Sequence, residues 1–190
     1  MEALREYLVN LASESPAPGG GSAAMVVGAT GCALVAMVAR ICAASPKYEA
    51  KRALASELVA QADRLRADFL ERKARDERAF DAVVAARGDK EAMQRALAGA
   101  AAVPLEGAQA ALEALRLGAD AIELGNANLM SDVGCAAEFA YAALLACAYN
   151  VRINHKFMKD EHLVATQQSE LSELEKAARP LLHAVRSALT

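Results

Sequence analysis

The chain has 190 residues and a formal net charge of −3, with 55% hydrophobic but only 4% aromatic residues. Its length suits one domain with its own core, so residues 1–190 are treated as a single domain. No basic block or strongly basic balance points to nucleic acid as a partner. Alanine and leucine, both strong helix formers, dominate over β-branched residues, which predicts an all-α protein.

Hydrophobic periodicity, prolines and glycines divide the chain into predicted helices. In chain order these helices cover residues 2–12, 23–44, 49–87, 91–102, 104–124, 131–154 and 160–189. The segment Ser13–Gly21 excludes a helix, Pro104 separates two helices, and Pro180 is expected to kink or break the last one. With residues 49–87 as one long central helix, the pattern predicts a single-domain bundle of six or seven helices.

The second predicted helix carries no charge from Ala23 to Ala39, which raises the question of a membrane span. The uncharged stretch is only about 17 residues long, the short limit for a span, and it is rich in alanine and glycine. Ala24, Gly28 and Gly31 share one face, which lets another helix backbone come close. We therefore expect a helix buried in a bundle or dimer core, with no membrane partner.

The cysteines and the amino terminus bear on the compartment. Cys32, Cys42, Cys135 and Cys147 have no CxxC spacing and lie in apolar helical patterns, so we expect buried free thiols in a reducing compartment. The amino-terminal residues lack the charged and continuous apolar regions of a signal peptide. These features predict a cytoplasmic protein. The three histidines have no paired-ligand spacing, so we expect no metal site.

The segment Pro16–Ala24 reads PAPGGGSAA and places three consecutive glycines before a predicted helix. Gly19, Gly20 and Gly21 leave backbone N–H groups exposed at the positive end of a helix, and Ser22 could cap it. Such a loop can hold an anion or let a flat ligand approach the backbone. It lacks the Gly-Lys-Ser/Thr sequence of a P-loop. A flexible connection explains the glycines equally well, so both interpretations stay open at this point.

Two further segments concentrate polar side chains near helix ends. In GNANLMSDVG, Asn126, Ser131 and Asp132 lie at a predicted helix start, where they form either a plain N-cap or a site near backbone donors. In NVRIN, Asn150 and Asn154 are four residues apart and share one helix face. Their amides either tie down a neighbouring loop or bind a ligand with amide-like edges, such as a pterin.

Two charged side chains are further candidates. Asp76 shares a helix face with Arg72 and Phe80, and this spacing alone favours a surface ion pair over a site carboxylate. Lys47 follows Pro46 directly after the second predicted helix, where it is either solvated or reaches an anionic substrate. Spacing alone therefore assigns a role to neither side chain.

The segments PAPGGGSAA, PKY, DERAF, VPLEGA, GNANLMSD and NVRIN occur in an order and at a spacing that resemble a known family. Over nearly its whole length, the chain is similar to the cyclodeaminase domain of formimidoyltransferase-cyclodeaminase. It is also similar to the free-standing bacterial relatives, which include methenyltetrahydrofolate cyclohydrolases. The resemblance implies an all-helical fold that forms at least a homodimer, a tetrahydrofolate derivative as substrate, and no metal or other cofactor.

The resemblance also implies chemistry at the N5/N10 bridge of tetrahydrofolate, as a methenyltetrahydrofolate cyclohydrolase or a formimidoyltetrahydrofolate cyclodeaminase. Asp132 is then the first choice for moving protons, and Asp76 is the second. The other implied substrate contacts are the backbone of Gly19, Gly20, Gly21 and Ser22, the ammonium of Lys47, and the side chains of Asn126, Ser131, Asn150 and Asn154. A helical module that keeps the fold and binds folate or a protein without catalysis is the alternative.

Overall fold

The computed structural model describes residues 2–190, and over this range the chain forms helices and no β-strand. Six α-helices are joined by loops and short 3₁₀ turns, which confirms the predicted all-α class. The helices are α1 Glu2–Leu11, α2 Gly20–Ala44, α3 Arg52–Ala85, α4 Lys90–Asp120, α5 Met130–His155 and α6 Glu161–Ala188. The 3₁₀ turns cover Pro46–Lys51, Ala121–Leu124 and Ala127–Leu129.

Helix α2 forms the centre of the bundle, because α3 and α5 pack along it. Gly28 of α2 faces the buried ring of Phe69, and a Cβ at Gly28 would lie 2.6 Å from Cζ. Gly31 approaches the backbone of α5, where its Cβ would lie 3.0 Å from the carbonyl oxygen of Ala136. The small-residue face therefore allows the close helix contacts that the sequence predicts. Burial of a side chain such as Phe69 contributes about 1.5–3 kcal/mol.

Within residues 2–190, two segments are long and apolar enough to cross a membrane if only length and composition are considered. They are α2, with a mean hydropathy of 2.0, and Ala127–His155, with a mean hydropathy of 1.3. Within the bundle, 61% of the apolar stretch of α2 is buried. Packing against α3 and α5 therefore accounts for the uncharged sequence of α2.

The predicted break at Pro104 is wrong, because α4 runs through this proline without interruption. Proline has no N–H, so the carbonyl of Ala100, four residues earlier, loses its usual helical donor. The side-chain amide of Asn154 donates to that carbonyl oxygen at 3.0 Å and replaces the missing bond. Helix α4 is thus completed by a side chain from α5. Pro180 likewise lies inside the continuous helix α6, on its exposed side, so the chain does not break there.

Two smaller expectations are also corrected. Helix α2 begins at Gly20, with Gly19 as its N-cap, so Ser22 lies inside the first turn and does not cap the helix. All four cysteines are free thiols, but Cys135 is exposed while the other three are buried. Cys135 is exposed because it lies on a part of α5 that no neighbouring helix covers.

Candidate active site

A pocket of about 340 Å³ opens where the amino terminus of α2, the second half of α3 and the carboxyl-terminal end of α5 meet. Its polar side consists of the Gly19–Gly21 backbone, Asp76 and Glu77 of α3, and Asn150 and Asn154 of α5. Its apolar side includes Phe80, Val83, Leu97, Ile153 and Phe157. A cavity of this size with a few convergent polar groups is typical of a small-molecule site.

Asp76 lies against the first turn of α2. The backbone N–H of Ser22 donates to its carboxylate, and Gly21 leaves room for it, since a Cβ there would lie 2.6 Å from Oδ2. Burial raises the pKa of Asp76; the Ser22 N–H opposes that shift and the charge of Glu77 adds to it. A pocket carboxyl with a raised pKa is suited to hold and release a proton, as a general acid or base does.

Glu77 follows Asp76 directly but has a different electrostatic setting. Its Oε1 accepts hydrogen bonds from the hydroxyl of Ser22 at 2.8 Å and from the ammonium of Lys73 at 2.7 Å. Burial alone would raise the pKa of Glu77, but these two hydrogen bonds and the charge of Lys73 lower it. The pocket thus contains two adjacent carboxyls with pKa values displaced in opposite directions, a pattern that separates a proton-transfer group from a fixed charge.

Asn150 and Asn154 form the wall of the pocket that α5 contributes. The Asn150 amide donates to the carbonyl of Ala146 at 2.8 Å. The Asn154 amide donates to the carbonyl of Asn150 at 2.9 Å as well as to Ala100. These bonds fix both side chains and use only their nitrogen atoms. Each Oδ1 is an acceptor that these bonds do not occupy, so the amides can contact the donor groups of a ligand.

The structure brings together only one part of the predicted site. Gly19–Gly21, Asp76, Asn150 and Asn154 all line the pocket, and Ser22 contacts Asp76 from behind. Asp132 does not lie there, because it precedes Asn150 by eighteen residues on the same helix. At 1.5 Å per residue, this separation is about 27 Å. Asp132, the first choice from the sequence, therefore lies outside the pocket of its own chain.

The other predicted positions lie near Asp132, at the far end of the bundle. Asn126 accepts a hydrogen bond from the backbone N–H of Asn128 at 3.2 Å and donates to the sulfur of Cys42 at 3.7 Å. The ammonium of Lys47 is exposed and lies 5.3 Å from the ring centre of Tyr48.

Helix α5 begins at Met130 without a side-chain cap, so the N-cap interpretation of Ser131 and Asp132 is wrong. The chain instead turns before the helix through the Asn126 side chain, which leaves both residues inside the first turn. Within one chain, Lys47, Asn126, Ser131 and Asp132 therefore do not line this pocket.

The sequence does not predict three residues at the site: Glu77, which lines the pocket, and Lys73 and Tyr7, which bond to Glu77 and Ser22. The Lys73–Glu77 pair has a local signal, since the two residues are four apart on α3. Tyr7 has none, because its hydroxyl contacts Ser22 at 3.1 Å across a loop whose path the sequence does not determine. Long-range contacts of this kind are visible only in the folded chain.

No group of three or more His, Cys, Asp or Glu side chains within residues 2–190 is placed to hold a metal ion. The pocket is built from carboxyl, amide and backbone groups. The pocket at one end of this all-helical bundle is therefore suited to bind a small molecule through hydrogen bonds and to transfer protons to or from it.

The sequence model of the formiminotransferase-cyclodeaminase family matches residues 3–173. The chain therefore belongs to the formiminotransferase-cyclodeaminase family. It is 37% identical to the methenyltetrahydrofolate cyclohydrolase of Methylorubrum extorquens, over 92% of this chain and 88% of that protein. It is 27% identical to the formimidoyltransferase-cyclodeaminase of Rattus norvegicus, of which it spans 35%.

A solved structure supports the same grouping. The fold matches the crystal structure of formiminotetrahydrofolate cyclodeaminase from Thermotoga maritima with a TM-score of 0.94 and 30% sequence identity. The match covers 98% of this chain and 94% of that one. The chain and this relative therefore share one architecture over essentially their whole lengths.

Proposed function

We propose that this chain is a tetrahydrofolate one-carbon enzyme that acts at the N5/N10 bridge, as a methenyltetrahydrofolate cyclohydrolase. The relative from Methylorubrum extorquens supports this reaction, because it is 37% identical and is matched over 88% of its length. The observation that carries the proposal is Asp76, a carboxyl with a raised pKa in a ligand-sized pocket. A reaction that moves protons between the oxygen and nitrogen atoms bonded to one carbon needs such a group.

The proposed reaction requires three proton transfers on the atoms bonded to the bridge carbon. Water attacks the methenyl carbon and forms a C–O bond while the Asp76 carboxylate takes a proton from the water. The C–N5 bond then breaks, and Asp76 returns that proton to N5. The remaining hydroxyl proton leaves to solvent as the formyl carbonyl forms, which gives 10-formyltetrahydrofolate and one released proton. Asp76 thus serves first as base and then as acid.

The walls of the pocket suit the shape of a folate. Gly20 and Gly21 place backbone without side chains at the pocket wall, and the Oδ1 atoms of Asn150 and Asn154 are acceptors for the amino and ring N–H groups of a pterin. Phe80 and Phe157 line the apolar side, where an aromatic ring can pack. This arrangement supports a ligand with one polar and one aromatic portion.

Formimidoyltetrahydrofolate cyclodeaminase is the second candidate, and the Thermotoga maritima relative favours it. In this reaction N10 attacks the carbon of the protonated formimidoyl group (CH=NH2+), and Asp76 takes the proton from N10 and gives it to the departing NH2 group. Ammonia leaves and the methenyl bridge remains. Because the two reactions share a tetrahedral carbon between N5 and N10, the same carboxyl can serve both.

An assay that follows the absorbance of 5,10-methenyltetrahydrofolate with purified protein separates the candidates. Faster loss of the methenyl compound supports the cyclohydrolase, and its formation from 5-formimidoyltetrahydrofolate supports the cyclodeaminase. If neither occurs while the protein still binds tetrahydrofolate, the non-catalytic binding module is the correct alternative.

We further propose that the chain works as a homodimer. Leu4, Leu8 and Val9 of α1 are more than half exposed, and covering them with a second copy would bury apolar surface. A second copy is also the means by which Asp132 can come near a pocket. If Asp132 of one copy reaches the pocket of the other, the activity of a mixture of D76N and D132N chains will exceed the mean activity of the two separate preparations. Equality with that mean would contradict a shared site.

The proposed location is the cytoplasm, with no membrane partner. The burial of most of α2 inside the bundle supports this location, as do the three buried free cysteines, which suit a reducing compartment. Fractionation of the producing cells tests the proposal: recovery in the membrane fraction after a salt wash would contradict it.

A further inference from the structure

The bonding of Ser22 gives Glu77 a defined protonation state. Ser22 is completely buried, and its hydroxyl lies 2.8 Å from Glu77 Oε1 and 3.1 Å from the hydroxyl of Tyr7. A serine hydroxyl has one proton, and that proton goes to Glu77, so Tyr7 must be the donor to Ser22. Lys73 donates to the same Glu77 oxygen. Tyr7 therefore donates to Ser22, and Ser22 and Lys73 both donate to Glu77. Glu77 only accepts in these hydrogen bonds, as an ionised carboxylate does.

Ser22 also joins the two carboxyls. Its hydroxyl donates to Glu77, and its backbone N–H donates to Asp76. Two adjacent carboxyls that contact one residue repel each other when both are ionised, so one of them retains a proton more readily. Lys73 and Tyr7 stabilise the charge on Glu77, which leaves Asp76 as the group that changes its protonation.

We propose that Glu77, held as a carboxylate by Lys73 and the Tyr7–Ser22 chain, is the positioning residue that makes Asp76 the proton-transferring group of this pocket. Its role in turnover rests on the proposed function, because a proton carrier matters only if the bound molecule reacts. The arrangement also explains why α1 is tied to the site. The ammonium of Lys73 lies 5.0 Å from the centre of the Tyr7 ring, so α1 contributes both a ring and a hydroxyl.

Burial is the largest cause of the raised pKa of Asp76, and the groups that face Asp76 include few charges other than Glu77 that could add to it. Helix α2 presents its amino terminus and Ser22, and α4 contributes the apolar Leu97 and Ala100 to the pocket. Helix α5 presents the neutral amide of Asn150 and the Cys147 thiol, whose burial raises its pKa to about 12, so that it stays neutral at working pH. Arg72, which shares a face of α3 with Asp76 in sequence, lies 3.8 Å from Glu106 and does not pair with Asp76. The charged neighbours of Asp76 are then Glu77 and, beyond it, Lys73 on α3.

The test is the titration of the Asp76 side-chain carboxyl, followed by carbon-13 NMR in the full-length protein. E77Q keeps the size of the side chain and an acceptor for Ser22 but removes the charge, so we expect Asp76 to titrate at lower pH than in the wild type. E77D keeps the negative charge, so Asp76 should titrate at a pH as high as in the wild type. This variant serves as the comparison if E77Q disturbs the fold. E71Q is the control, because it removes an exposed carboxylate from the same helix.

An unchanged Asp76 titration in E77Q would overturn the proposal, as would an equal shift in E71Q, which would show an effect of net charge alone. The acid limb of the pH profile of kcat/KM should move in E77Q in the same direction as the NMR titration. Failure of the proposed function would look different, since the wild type would then not turn over either folate while the NMR shift would persist.

Discussion

The two ends of the bundle carry similar residue types, but they place them in different surroundings. At one end, Asp76 is partly buried and faces fixed amides across a pocket. At the other end, about 27 Å away along α5, Asp132 lies in the first turn of a helix, and the neighbouring Asn126 bonds to the backbone of Asn128 and to Cys42. An aspartate beside asparagines is thus not in itself a site. The first end can bind and transform a ligand because its aspartate is partly buried in a pocket and faces side-chain amides across it.

The largest difference between the ends should appear in activity. We expect D76N to lower kcat/KM for 5,10-methenyltetrahydrofolate by about 10²–10⁴-fold, the usual contribution of a general acid–base group. Asparagine keeps the size of the side chain and can still accept from the Ser22 N–H, so the fold should persist. Circular dichroism checks the fold and the absorbance assay checks the rate. A larger loss in D132N than in D76N would reverse the comparison.

Gly21 tests how closely the pocket end is fitted. In G21A the new Cβ would lie 2.6 Å from Asp76 Oδ2, so the carboxyl must move. A displacement of about 1 Å in a reacting group can cost about 10²-fold in rate, and we expect a loss of kcat/KM of that order.

Gly99 of α4 provides the matched control for this change. It is an exposed helical glycine with nothing within 4 Å of a Cβ, so G99A should leave kcat/KM unchanged and stabilise the helix by up to about 1 kcal/mol. Equal kinetics for G21A and G99A would show that Asp76 does not need its present position.

The Asn154 amide should contribute to stability through α4. In N154A the buried carbonyl of Ala100 loses its donor, and we expect the free energy of unfolding to fall by about 1–3 kcal/mol. Replacing Pro104 with alanine restores a backbone N–H, so the N154A penalty should shrink in the P104A background. Urea unfolding of the four variants measures this coupling, and additive effects would contradict the proposed replacement of the missing bond.

The smallest expected effect is the dependence of stability on pH. The folded-state pKa of Asp76 is raised by burial, so its contribution to stability is complete below the unfolded pKa of about 3.9 and is lost as the pH rises through the folded value. The free energy of unfolding of D76N should therefore exceed that of the wild type by more at pH 7 than at acid pH. A difference that stays constant across the titration would contradict the raised pKa.

Composition and periodicity predict the class of fold, because alanine-rich amphipathic segments have few ways to bury their apolar faces other than a helical bundle. The break expected at Pro104 fails because the compensating donor, Asn154, is some fifty residues away in sequence. The motifs locate Asp76, Asn150 and Asn154, but their spacing cannot show which of them share a pocket. The sequence also gives no sign of the role of Tyr7, since its partner, Ser22, lies beyond a proline- and glycine-rich loop whose path the sequence does not determine.

The most direct test of the central claim is a crystal structure of D76N with bound 5,10-methenyltetrahydrofolate, since the substitution slows the reaction and keeps the shape of the pocket. The account predicts the bridge carbon beside residue 76, with the pterin against the Gly20–Gly21 backbone and the amides of Asn150 and Asn154. A folate bound among Lys47, Asn126 and Asp132, without contact with residue 76 of any chain, would contradict it.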